Sequence, residues 1–269
     1  MTDSHDSTSP VGTAIDSSVP HSARVWNYWL GGKDNYPVDR EVGDDFTRLY
    51  PEIIVVARSS RAFLKRAIVH LTAEAGLRQF LDVGTGMPTA ENTHQVAQLV
   101  APDARIVYVD NDPLVLRHAQ ALLTSTPEGV TDYIDADLHE PERILEMAAK
   151  TLDFDRPVAL MLMGILGHIQ DYDEAVSIVR RLQQALPSGS YFVHYDSTDT
   201  DQALKEAQQG YDDTGAVPYV LRGLEQISRF YDGLELVEPG IVSCPLWRPG
   251  PSETPIGTTD VHGGVARKP

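Results

Sequence analysis

The sequence predicts an α/β fold whose sheet is mostly parallel and ends antiparallel, and three observations predict it. Short apolar runs alternate with amphipathic segments from residue 79 onward. The early runs are apolar almost throughout, as strands covered on both faces are. The last two runs are separated only by Pro239 and Gly240, a link too short for a parallel crossover. The runs are FLDV (80–83), RIVYVD (105–110), VTDYID (130–135), VALMLM (158–163), SYFVHYD (190–196), LELVE (234–238) and IVSCPLW (241–247). Helical spacing falls at about 89–100, 113–124, 141–151, 172–186, 201–209 and 219–231. Strands alternating with helices imply βαβ crossovers. The spacing before residue 70 is helical, broken by GGKDNYP. Four stretches result: a polar, disordered tail at 1–20, a helical cap at 21–70, the sheet domain at 71–249 and a flexible tail at 250–269.

Composition narrows the function classes. Hydrophobic residues make up 42% of the 269 residues, enough for a large core without disulfides or structural metal. Cys244 is the only cysteine, and no Cys/His spacing resembles a zinc site, so no metal is expected and a reducing cytoplasm is the expected compartment. The N-terminus lacks the basic stretch and apolar run of a secretory leader. The longest apolar run, 158–169, holds two glycines and a histidine and is too short to span a bilayer. A net charge of −17 repels phosphate backbones and makes nucleic acid an unsuitable partner. Arg58, Arg61, Lys65 and Arg66 cluster on one predicted helix, where a solvated face is the expectation.

Three loops at successive strand ends carry the chemistry. After the first strand comes LDVGTGMPTAEN, in which Gly84 and Gly86 permit a tight turn and close approach of a ligand. Thr89 is placed to cap the following helix, whose free amides favour an anion. An ordinary β–α turn is the competing reading. A dinucleotide loop would carry a third glycine where Thr89 stands, and Pro88 makes diphosphate packing less natural. The second strand ends in YVDND. Asp110 lies 24 residues beyond Gly86, the interval at which a carboxylate meets a ribose diol. Asn111 or Asp112 can cap the helix that starts at Pro113. The third run ends in DADLHEP, where Asp135 or Asp137 can accept an adenine amine and Leu138 can pack on its ring, or Asp137 can serve as a helix cap.

With these residues in place, the chain resembles the class I S-adenosylmethionine-dependent methyltransferases. More narrowly, it is similar to an actinobacterial group called S-adenosyl methyltransferases, formerly a domain of unknown function. The resemblance rests on HSARVWNYWLGGKDNYPVDREVG (21–43), LDVGTGMPTAENTHQVAQ (81–98), ARIVYVDNDPLVL (104–116), DADLHEP (135–141), MGILGHI (163–169) and LELVEPGIVSCPLWRP (234–249). It implies a Rossmann-like, seven-stranded, mostly parallel sheet ending in an antiparallel hairpin beneath an N-terminal helical cap. It also implies S-adenosylmethionine as cofactor. Asp82, Gly84, Thr85 and Gly86 would line the methionine end, and Asp110 and Asn111 the ribose and adenine edge. Asp137 and Leu138 would flank the adenine, with Met163 and Gly164 beneath the sulfonium.

Within 21–43, Trp26, Trp29 and Leu30 have the helical spacing of packing residues. In related methyltransferases a helix ahead of the sheet folds over the cofactor. Tyr28 would then bond the cofactor carboxylate, Lys33 would offset its charge, and Gly31-Gly32 would bend the lid. The alternative is that GGKDNYP is a surface turn. No nucleophile is evident, and transfer from an activated sulfonium needs alignment rather than one. His168 is the one histidine nominated as a base, against the plainer reading that it satisfies a strand-end carbonyl. His94 and His194 are weaker candidates. The leading function is methyl transfer to a small-molecule acceptor. Beside it stand a non-catalytic adenosylmethionine-binding protein and, disfavoured by the missing third glycine and the terminal hairpin, an NAD-type oxidoreductase.

Overall fold

A computed structural model describes residues 16–88, 91–122, 124–251 and 256–269. The parallel strands fall where apolar runs predict them: β1 (Gln79–Val83), β2 (Arg105–Asp110), β3 (Val130–Asp135), β4 (Ala159–Met163) and β5 (Tyr191–Ser197). Every residue of β1 and β4 is buried, because both strands are central and helices cover both faces. The helices are α1 (Ser22–Trp29), α2 (Pro37–Leu49), α3 (Ile53–Val69), α4 (Thr93–Val100), α5 (Pro113–Leu122), α6 (Pro141–Ala148), α7 (Tyr172–Gln184), α8 (Gln202–Asp212) and α9 (Leu224–Arg229). No helix among the described residues is long and apolar enough to cross a membrane.

Strand alternation divides the core in two. Phe80, Tyr108, Met163 and Tyr195 pack on the side of α1 to α4 and α8, which is the cap side. Leu81, Val109, Leu162 and Phe192 face the opposite layer, with residues of α6, α7 and α9. Asp82 shares the parity of Phe80, so β1 delivers its carboxylate to the cap side.

The sheet runs β3-β2-β1-β4-β5-β8-β6, with its far end antiparallel as expected. The arms of that hairpin differ from the prediction. β6 (Glu235–Leu236) and β7 (Val242–Ser243) do not pair with each other. Both lie antiparallel to β8 (Val261–Arg267), as one strand interrupted at Pro239-Gly240, where the Gly240 amide turns back to the Val237 carbonyl. β8 comes from the stretch expected to be a flexible tail. It lies between β5 and β6, with Val261, Val265 and Ala266 buried. The sequence VHGGVAR shows little apolar alternation because close approach requires its glycines: a Cβ on Gly263 would sit 2.2 Å from the His194 carbonyl oxygen.

Two further boundaries shift. Residues 219–223, expected to open a helix, are extended, because the Val220 amide binds the Gly167 carbonyl and Arg222 bridges to Thr198. At the other end, residues 16–20 are held rather than free: Arg24 donates to the carbonyls of Asp16 (3.0 Å) and Val19 (2.5 Å). The remainder of the predicted N-terminal tail, together with Thr89, lies outside the described residues.

Candidate functional site

A cavity of about 340 Å³, within the usual range for small-molecule sites, opens at the C-terminal ends of the strands beneath α1. Its floor begins at the glycine turn after β1. Gly84 and Gly86 take φ of +75° and +66°, a left-handed conformation that suits glycine. The Gly84 amide donates to the Val109 carbonyl (2.8 Å), and the Thr85 hydroxyl donates to the Asp82 carbonyl (3.1 Å). The Gly86 amide donates to Asp110 Oδ2 (2.8 Å), and the Asp112 amide to Asp110 Oδ1 (3.0 Å). Asp110 thus ties the first two loops together. Asp112 is the helix cap, accepting from the Leu114 amide at 2.7 Å. Asn111 turns the other way and donates to Asp137 Oδ2 (2.9 Å), joining the second loop to the third.

Three carboxylates therefore converge in surroundings that differ. Asp82 is nearly fully buried and accepts the Thr93 hydroxyl at 2.6 Å. Burial pushes its pKa up to about 6, opposed by Thr93 and by the charge of Arg61. Burial also raises Asp110. For Asp137, burial acts upward, but the backbone and imidazole donors of His139 and the Asn111 amide outweigh it and hold the carboxyl below its ordinary range. Leu138 lies beside Asp137, and Met163 and Gly164 line the floor from β4. Asp135, the other acid of DAD, is exposed and does not line the cavity.

The roof corrects the expectation for Tyr28 and Lys33. Neither lines the cavity. The Tyr28 hydroxyl donates to Asp44 Oδ1 (2.7 Å) on α2, and Lys33 is exposed. The reason is helical phase. At 100° per residue, Ala23, Trp26 and Leu30 share one face of α1, and Tyr28 points well away from it. That face does line the cavity, with Ala23 directly over Gly86. Trp26, Trp29 and Leu30 all meet the cavity, and Trp29 is in addition buried as a packing residue. His21 caps α1, and its Nδ1 lies 3.0 Å from Asp112 Oδ2, so the helix start rests on the loop after β2.

The basic cluster on α3 is also more than a solvated face. Arg61 lines the cavity near Asp82, and Arg66 donates to the carbonyls of Trp247 (2.8 Å) and Cys244 (2.7 Å). Lys65 pairs with Glu91, and Arg58 is exposed.

His168 occupies the loop after β4 and lines the cavity. Its Nδ1 lies 3.1 Å from the Pro218 carbonyl oxygen. A carbonyl only accepts, so Nδ1 carries the proton and Nε2 keeps its lone pair. Burial pushes the imidazole pKa down, which keeps the ring neutral. Its ring meets Tyr219 edge-on at 5.1 Å. A network not foreseen from the sequence holds this loop. Buried Arg222 donates to the carbonyls of Leu166 (2.7 Å) and Ile169 (2.5 Å) and lies 3.9 Å from Asp196, which accepts the Tyr219 hydroxyl at 2.6 Å. Its members come from β5 and the 219–222 stretch, and no local pattern relates them.

The donor set suits S-adenosylmethionine. Asp82 is a buried carboxylate with its pKa raised, a fitting counter-charge for an ammonium, and Asp110 and Asp137 offer acceptors for a ribose and an adenine edge. The fold is the Rossmann-like α/β architecture of class I methyltransferases. The model of the S-adenosyl methyltransferase family matches residues 8–269, and the chain belongs to that family. It is 46% identical to a DUF574 family protein from Streptomyces avermitilis, with a TM-score of 0.91 over 95% of this chain and 100% of that one. It is 38% identical to a candidate methyltransferase from Thermobifida fusca, with a TM-score of 0.86 over 94% and 96% of the two chains. The mitomycin 7-O-methyltransferase MmcR, 15% identical with a TM-score of 0.51 over 91% of this chain and 68% of that one, shares the fold. No curated protein matches the chain.

Proposed function

We propose that the chain transfers the methyl group of S-adenosylmethionine to a small-molecule acceptor bound in the same cavity, mainly by alignment. The observation that carries this reading is the convergence of Asp82, Asp110 and Asp137 around one left-handed glycine turn, in a cavity roofed by α1. The cofactor, when bound, supplies an electrophilic methyl carbon on a positively charged sulfur. Asp82 takes the methionyl ammonium, and Arg61 the carboxylate beside it. Asp110 accepts from the ribose hydroxyls while keeping its two backbone donors. Asp137 and Leu138 hold the adenine. Met163 and Gly164 lie under the reacting centre, where their small or apolar surface leaves the approach open. Ala23 and Trp26 exclude water from above, which strengthens the electrostatic interactions beneath. His168, with Nε2 free to accept, takes the acceptor's proton.

Calorimetry with S-adenosylhomocysteine and NAD tests the reading. S-adenosylhomocysteine binds and NAD does not, and Asp110→Ala weakens that binding by about 1–3 kcal/mol, the cost of losing a charged acceptor. Equal binding of NAD, or an Asp110→Ala variant with unchanged affinity and intact fold, overturns it.

A further inference from the structure

The carboxylates that line the cavity are confined to one half. Asp82, Asp110 and Asp137 lie at the ends of β1 to β3, and Arg61, at the border of the two halves, is within electrostatic reach of both Asp82 and Tyr195. The other half, over the ends of β4 and β5 and against α8, has no carboxylate, lysine or arginine among the described lining residues. Its wall includes Trp26, Tyr195, Tyr211, Tyr219 and the imidazole of His168, and its other polar members, Ser197 and Gln208, are uncharged. Asp196 is fully buried, engaged by the Tyr219 hydroxyl, and is not a lining residue.

A charged acceptor entering that half would lose its hydration and find no charged side chain on the wall, since Arg61 only borders it and Asp196 lies behind Tyr219. A cationic acceptor would also meet the positive sulfonium, whereas an oxygen losing its proton gains negative charge beside it. The rings of the wall offer edge-on and offset packing to another ring. Resting on the cofactor reading just given, we propose that the acceptor is an uncharged, planar aromatic molecule methylated on a phenolic hydroxyl, with its ring between Trp26 and Tyr219 and its hydroxyl at His168 Nε2. The phenolic oxygen bonds the methyl carbon as the carbon–sulfur bond breaks with its electron pair left on sulfur. The phenolic proton passes to Nε2 and then to water, so the products are a methyl ether and S-adenosylhomocysteine. Arg222 and the Pro218 carbonyl act as positioning groups, one fixing the loop and the other the imidazole tautomer.

Three probes of one shape test this on the full chain: 2-naphthol, 2-naphthylmethylamine and 2-naphthoic acid, which are neutral, cationic and anionic near pH 7. Calorimetry on protein saturated with S-adenosylhomocysteine should show 2-naphthol binding about tenfold tighter than either charged probe. With S-adenosylmethionine it should yield 2-methoxynaphthalene. His168→Gln, which keeps a hydrogen-bond acceptor for the hydroxyl but supplies no base, should slow that turnover by about 100-fold while weakening 2-naphthol binding by no more than about threefold. Val217, a lining residue 55% exposed at the rim, allows a charge to be introduced without disturbing the core. Val217→Glu should raise affinity for the amine relative to naphthol by about tenfold. Tighter binding of the amine or the acid by the wild type, or no naphthol binding by protein that does bind S-adenosylhomocysteine, overturns the acceptor class and leaves the cofactor reading intact. An unchanged amine-to-naphthol ratio in Val217→Glu overturns the argument from charge. Failure of S-adenosylhomocysteine to bind overturns both readings.

Discussion

Asp82 shows how a single side chain couples strand parity to ligand chemistry. Alternation along β1 sends it to the cap side, where burial raises its pKa to about 6. The raised value means that folding disfavours the ionised form, so through this group the free protein is less stable above pH 6 than near pH 4. A ligand ammonium acts in the opposite sense, since it binds the ionised carboxylate. Affinity for S-adenosylhomocysteine should therefore be level above about pH 7 and fall as pH drops through 6, approaching a tenfold loss per unit. Asp82→Asn should bind more weakly and show a flat profile over the same range. A wild-type profile that stays flat down to pH 5 would detach Asp82 from the methionyl end. The identity of this residue was legible in the motif LDVGTG; its burial, its Thr93 partner and the proximity of Arg61 were not, because they come from α3 and α4.

At the scale of elements, the decisive piece is α1 and the way it is fastened. Buried Asp39, in the first turn of α2, accepts the His21 amide (3.0 Å), Arg24 Nε (3.1 Å) and the Tyr36 amide (2.8 Å). The Arg24 guanidinium also reaches back to residues 16 and 19 and lies over the Tyr36 ring. One node thus joins the chain before α1, α1 itself and the start of α2, and sets α1 over Gly86. Removing one partner of such a buried pair leaves an uncompensated charge. Asp39→Ala should lose about 3–5 kcal/mol in urea unfolding. A loss below about 1 kcal/mol, the value of an exposed pair, would show that the node does not hold the cap. The apolar spacing of Trp26, Trp29 and Leu30 was readable as a helix, yet which face meets the ligand was not. Tyr28 was expected to face the cofactor because a helix covers it in related methyltransferases, and the packing of α2 against its ring turned it to Asp44.

At the scale of the molecule, the sheet is closed by a strand from the far end of the chain. β8 separates β5 from β6 and β7 and buries Val261 and Val265 in the cap-side core. Ending the chain at residue 256 would expose the edge of β5 and leave β6 and β7 without a partner. The truncated protein should be insoluble or lack a cooperative thermal transition by circular dichroism. A melting curve like that of the full chain would mean β8 is dispensable. Charge also acts at this scale: in a chain of net charge −17 no carboxylate lines the aromatic half of the cavity among the described residues, so overall acidity does not predict the polarity of that half.

Sequence alone determined the alternation of β1 to β5 with helices, the parallel core and the three strand-end loops with Gly86, Asp110 and Asp137, because period, turn chemistry and strand-end position are local properties; Asp82 entered through the family resemblance. It also pointed to His168, leaving open whether that residue satisfies a carbonyl or serves as a base; the structure shows how it does the first while keeping Nε2 free. Only the tertiary structure decided which face of α1 roofs the cavity, that Arg61 turns to the cavity lining, and that Asp196, Tyr219 and Arg222 brace the His168 loop. Those relations join residues tens to hundreds of positions apart and depend on helix phase, burial and pairing partners, none of which leaves a periodic trace in the chain. The same holds for β8, whose glycines erase the apolar alternation that would reveal a strand and are required there because β5 lies too close to Gly263, and the turn at Gly240 too close to Gly264, for a side chain.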